Sequence, residues 1–317
     1  MRKLVLAALT AAFGLVLASD ESKAELQTLY ASKLFTTDII ESNGLAFDVG
    51  SSPEHLYIAD NTAQMRVYRL SGVQDAGPIT LPGGGGTQEL GLHFVREKTS
   101  LGGVEVVAGT LVFFRGGSGA LFPTILYAIN KSTAAVLASK EPNTDHETSN
   151  GCQPLRSRGT GLGYSTRRDL FLGLDPFCSA IALISGGAVS GHFDTQSNLI
   201  GQNLGDVKEH PQTGKIWMAS PVSASDVMLS EYTQLGVVRR EFKVLDLATD
   251  EKVQVSRLAF DATGSRLWLL ASDGDVYQAS TPVASLPALG PFGWVVMVSV
   301  LVLSAILVGR RGRLRVS

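Results

Sequence analysis

Across residues 25–281 the hydrophobic positions fall in short runs of aliphatic and aromatic residues. Gly, Asp, Asn, Ser and Pro break these runs every few positions. No long stretch carries the three-to-four-residue spacing of an amphipathic helix, and the short runs bounded by turn residues predict β-strands. The predicted fold class is all-β.

The runs repeat. Asn43-Gly-Leu-Ala-Phe-Asp-Val leads through a polar turn to His55-Leu-Tyr-Ile-Ala-Asp, and Arg257-Leu-Ala-Phe-Asp leads to Arg266-Leu-Trp-Leu-Leu. Gly161-Leu-Gly-Tyr-Ser precedes Asp169-Leu-Phe-Leu-Gly-Leu, and Asp206-Val-Lys-Glu-His precedes Lys215-Ile-Trp-Met. A looser copy starts at Gly91-Leu-His-Phe-Val. Each copy reads as strand, tight turn, strand. The starts near 44, 91, 161, 205 and 257 lie 47, 70, 44 and 52 residues apart, with a long insertion around 140–160. That period predicts four-stranded blades of a β-propeller, which bury their faces by radial stacking. The last copy runs out of strands near Thr281, so Leu26 to Phe35 is expected to supply its outer strand and close the ring. Five blades are expected, with six blades or a β-sandwich as the alternatives.

The segment His55-Leu-Tyr-Ile-Ala-Asp-Asn-Thr-Ala-Gln-Met-Arg-Val-Tyr resembles an NHL-type repeat, in which a Tyr-x-Ala-Asp strand is followed by a polar turn and Arg-Val. The resemblance is carried by this one unit and implies the propeller fold.

Both ends differ from the body. Arg2 and Lys3 precede the uncharged run Leu4 to Ala18, with small residues at Ala18 and Ala24, so residues 1–24 read as a signal peptide. Residues 282–291 form a linker, 292–309 a predicted transmembrane helix and 310–317 a basic tail. The apolar core from Phe292 to Val308 would span about 26 Å as a helix. Arg310, Arg311, Arg313 and Arg315 then stop transfer and stay cytoplasmic.

Just before the span, Leu286-Pro287-Ala288-Leu289-Gly290-Pro291-Phe292-Gly293 resembles the box of the IPTL-CTERM sorting tails, relatives of the PEP-CTERM signals. Leu286, Pro287, Leu289 and Gly293 match the box; Ala288 stands for its threonine and Phe292 for its tryptophan. The resemblance implies a Gram-negative envelope protein whose tail is recognised by an exosortase-like processing enzyme. The chain is then either anchored in the inner membrane facing the periplasm or sorted to the surface after cleavage.

Charge narrows the choice of partners. The whole chain has 27 basic and 29 acidic residues, but seven basic and two acidic ones lie in the two ends. The body keeps 20 basic against 27 acidic residues, which disfavours nucleic acid as a partner. In an oxidising compartment Cys152 and Cys178, the two cysteines of the chain, are expected to form a disulfide.

Candidate chemistry is sparse. The five histidines show no metal-binding spacing, and Asp145-His146-Glu147 reads as a solvated loop. Gly116-Gly117-Ser118-Gly119 lacks the helix a nucleophile elbow requires, and Gly83 to Gly86 lacks the Lys-Ser/Thr pair of a phosphate cradle. No catalytic residue is assigned. Ser42-Asn43-Gly44-Leu45 ahead of Leu56-Tyr57-Ile58-Ala59-Asp60 resembles the Asn-Gly blade of gluconolactonase-type propellers. That resemblance implies a divalent cation such as calcium held at the ring centre, with Asn43 and Asp206 as ligands; no Glu-Gly-Pro motif is present to supply the family's glutamate. The plain reading of Asn43-Gly44 and Asp206 is ordinary turn chemistry. The leading expectation is a non-enzymatic binding module for an unknown protein or glycan ligand, and the alternative is a metal-dependent gluconolactonase-like hydrolase.

Overall fold

A computed structural model describes residues 24–39, 42–83, 89–116, 124–142, 146–148, 150–156, 159–195, 205–220 and 226–282. The leader through residue 23, the sorting box, the predicted span and the arginine tail lie outside the described residues. The described residues contain strands and turns and no helix.

The chain begins with a long strand, β1 (Glu25–Thr36). A first meander then follows: β2 (Ser42–Asp48), β3 (His55–Asp60), β4 (Gln64–Arg69) and β5 (Gln74–Thr80). The second unit starts with β6 (Glu89–Phe94) and inserts a small hairpin, β7 (Thr99–Leu101) and β8 (Val104–Val106). It continues with β9 (Leu111–Gly116), β10 (Ile125–Ile129) and β11 (Val136–Lys140). The third comprises β12 (Gly161–Ser165), β13 (Leu170–Asp175), β14 (Ala180–Ser185) and β15 (Ala188–Asp194). The fourth comprises β16 (Asp206–Glu209), β17 (Ile216–Ala219), β18 (Leu229–Tyr232) and β19 (Val238–Asp246). The last run is β20 (Val255–Phe260), β21 (Arg266–Ala271) and β22 (Asp275–Ser280).

The first strand of each unit lies beside the first strand of the next: β2, β6, β12, β16, β20 and back to β2. Burial follows from that order. The described side chains of β12, β16 and β20 are all buried, whereas the outer strands β5 and β11 are mostly exposed. Hydrophobic clusters fill the space between successive units. Leu92 and Phe113 meet Tyr57 and Met65; Tyr164 and Phe171 meet Phe114 and Leu126; Val207 and Met218 meet Leu172 and Leu174. Trp217 and Phe242 meet Leu258 and Leu269, and Trp268 meets Leu45 and Phe47, with the Phe47 and Trp268 rings stacked at 4.0 Å.

β1 serves two units. Residues Glu25 to Ala31 pair in parallel with β19, and Ala31 to Thr36 pair antiparallel with β22. The fourth and last runs thus merge into one eight-stranded sheet. Thr36 Oγ1 donates to Asp275 Oδ1 at 2.6 Å across this seam.

Glycines on the first strands set the spacing between units. A Cβ on Gly161 would lie 2.6 Å from the Asp206 Cα, and one on Gly91 would lie 2.5 Å from the Leu162 amide nitrogen. The repeated Gly-Leu pair is therefore a close-approach device inside a strand. Gly44 is the same: it lies within β2, with its missing Cβ against Leu92, and the turn reading of Asn43-Gly44 is corrected accordingly. A true turn glycine is Gly274, which with Asp273 joins β21 to β22 at φ +89°.

Candidate functional site

The first strands bring charged side chains to the centre of the ring because period-two alternation turns every second residue the same way. On β16, Asp206 and Lys208 are two apart, and the Lys208 ammonium reaches back to both carboxylate oxygens at 2.6 and 2.8 Å. Its remaining donor goes to the Leu162 carbonyl on β12 at 2.6 Å. Asp206 also accepts from its neighbouring amide, Val207 N, and from Leu258 N on β20 at 3.2 Å. Burial pushes the Asp206 carboxyl up and the Lys208 ammonium down, and each is pulled back by the other's charge.

Arg257 enters from β20 and is wholly buried at 0 % exposure. Its Nη1 donates to the carbonyls of Gly205 at 3.0 Å and Ser256 at 2.8 Å, while Nη2 donates to Asn43 Oδ1 at 3.1 Å. Both residues proposed from sequence as metal ligands therefore lie on first strands and are buried. Each already faces a cation: Asn43 has Arg257 and Asp206 has Lys208. The donor set does not fit a divalent ion, which would meet two fixed positive charges where it needs oxygen ligands. Among the described residues no group of three or more His, Cys, Asp or Glu side chains is placed to hold a metal.

Glu209, next on β16, turns toward the third unit. It accepts from the Ser165 hydroxyl and, at 3.2 and 3.3 Å, from the Thr166 amide and hydroxyl. Past these residues the five first strands end in turns, and the turns surround a cavity of about 550 Å³. Val49, Arg96, Thr166, Pro211 and Ala262 each come from the turn after a different first strand, and Ala108 comes from the turn after β8. Beneath the mouth is a throat of about 10 Å³ lined by Phe47, His93, Arg96, Lys208, Glu209 and Phe260. Arg96 and Phe94 line both spaces.

The other histidines serve local structure. His55 Nε2 bonds Asp75 at 2.8 Å, His146 Nε2 bonds His192 Nδ1 at 2.7 Å, and His210 Nδ1 accepts two turn amides at 3.3 Å. The reading of His146 as part of a solvated loop is thus corrected by its bond to β15. Cys152 and Cys178 are joined, with Cα atoms 5.7 Å apart, fastening the insertion to the turn between β13 and β14. The sequence reading missed Lys208, Arg257, His93 and Arg96. A Lys two residues after an Asp within an apolar strand was the available signal for the first of these.

No protein-family profile and no curated protein matches the sequence. Among solved structures, a catalytically inactive virginiamycin B lyase from Staphylococcus aureus with quinupristin aligns over 80 % of this chain and 100 % of its own. The identity is 11 % and the TM-score 0.44.

Proposed function

We propose that the chain is an exported, membrane-tethered, five-bladed propeller acting as a binding module, with the mouth cavity as its ligand-receiving face. The observation that carries this reading is convergence. One turn from each unit meets at a single cavity of about 550 Å³, a size suited to a small organic group or the tip of a glycan or peptide. The five-blade count draws on the closed order of first strands and on the cluster between each adjacent pair. Export and tethering draw on the leader, the span and the arginine cluster, and sorting draws on the Leu286–Gly293 box. The partners in this reading are the membrane, an exosortase-like enzyme and a protein or glycan ligand. The gluconolactonase-like alternative draws on Asn43 and Asp206 both being central, and the cations on each of them count against it.

A glycan and peptide array probed with the full chain in lipid nanodiscs tests the proposal. Wild type is expected to retain a ligand that Ala262→Trp loses, because Ala262 is exposed at the mouth and a Trp there fills the cavity without touching the core. Equal retention by both proteins would move binding away from the mouth.

A further inference from the structure

Resting on that mouth as the binding face, we propose that it takes organic carboxylates, with one carboxylate oxygen seated in the throat between Arg96 and His93. Two unmet donor or acceptor groups point to it. Arg96 Nη2 donates to the Phe260 carbonyl at 3.0 Å, but its Nη1 is buried with no hydrogen-bond partner. His93 is 8 % exposed, and its Nε2 is likewise buried without a partner. Other buried polar atoms among the described residues, Trp217 Nε1 and Trp268 Nε1 for example, also lack a hydrogen-bond partner, but these two line one small space next to the mouth, where an occupant can satisfy both.

The other charged groups lining that space have their partners. Lys208 spends its donors on Asp206 and Leu162, and the Glu209 oxygens receive Ser165 and Thr166. Asp261 and Glu209 both act on the Arg96 charge, yet neither takes a hydrogen bond from its Nη1. Burial, Lys208 and Arg96 hold the His93 ring neutral, well below its ordinary range, so it adds no charge of its own. A ligand oxygen that accepts from this guanidinium nitrogen is the complement, and a charged oxygen makes the stronger bond.

Size selects the kind of anion. A throat of about 10 Å³ admits roughly one oxygen-sized atom. A carboxylate enters with one oxygen and leaves its second at the neck facing Arg96. A phosphate or sulfonate head would press two further charged oxygens on the apolar neck at Phe94. Above the neck, Val49, Val95, Phe94 and Ala262 offer walls for the carbon body of the ligand.

Titration calorimetry of the full chain in nanodiscs, with benzoate as the probe, tests this, and the ring resonances of His93 report the site. Saturable binding with a shift at His93 is expected, weakened roughly tenfold or more in Arg96→Gln and partly restored in Arg96→Lys. Phosphate at equal ionic strength is expected to leave His93 unmoved. No saturable binding of benzoate, or equal binding by Arg96→Gln with an unchanged melting temperature, would overturn the proposal. Its failure is separable from failure of the mouth reading. An array ligand lost in Ala262→Trp but kept in Arg96→Gln would leave the mouth as the binding face and remove the carboxylate.

Discussion

The two levels of the propeller axis solve the same problem in opposite ways. At the level of Asp206, the charges are sealed in and tied together: Lys208 takes both carboxylate oxygens, and the two Nη atoms of Arg257 bond Gly205, Ser256 and Asn43. At the level of His93 and Arg96, one nitrogen of each side chain, Nε2 and Nη1, is buried without a hydrogen-bond partner. Closely fitted strands seal the first level, and an open mouth lies above the second. The difference separates structure from function. A sealed ion pair fixes how the units meet, while donors left over beside an open mouth stand where something can reach them.

The largest effect should come from breaking the sealed level. Asp206→Ala strands two buried cations and is expected to cost about 3–5 kcal/mol, read from denaturant unfolding. The double variant Asp206→Asn, Lys208→Met should cost less than the sum of its parts, because it leaves fewer charges unpaired. A smaller loss, about 1–3 kcal/mol for overpacking, is expected of Gly161→Ala, whose new Cβ would sit 2.6 Å from the Asp206 Cα. A neutral result there would mean that the third and fourth units can slide apart freely.

The mildest test is pH. Burial keeps the folded His93 neutral well below its ordinary value of 6.5, while the unfolded chain takes up that proton near 6.5. The unfolded state then binds more protons, so stability falls as pH drops below about 6.5, by up to about 1.4 kcal/mol per pH unit until the folded ring also titrates. Unfolding curves at pH 7.5 and 5.5 should show His93→Gln losing less stability than wild type over that interval. Equal losses would mean that His93 is solvated in the folded chain.

Much of the architecture was legible in the sequence, because apolar runs and turn residues mark strands whatever their order in space. The N-terminal strand was readable as the missing partner of β22, but not its parallel pairing with β19, since nothing local encodes a neighbour more than 200 residues away. The hairpin of β7 and β8 escaped because strands of three residues show no alternation. Asn43 and Asp206 stood out as oxygen ligands, yet their partners did not. Lys208 and Arg257 lie in strands where a charged residue reads as solvent-facing, and only the ring turns them inward. Gly44, Gly91 and Gly161 look like turn residues in one dimension; their role depends on the strand of the next unit, which sequence spacing does not supply.

The seam made by β1 also sets the order in which the body can be finished. Thr36 and Asp275, which bond across it, are 239 residues apart in the chain. β1 emerges first from synthesis among the described strands, whereas its partners come late: β19 ends the fourth unit and β22 is the last strand of all. Contacts of that separation form late, since the chain between them must be ordered before they yield any gain. Each unit can assemble beside its neighbour as it appears, but the ring stays an open arc until β22 is available. During that interval the arc carries an unpaired edge at both ends, so β1 acts as the final latch of its biosynthesis as well as a strand of its sheet.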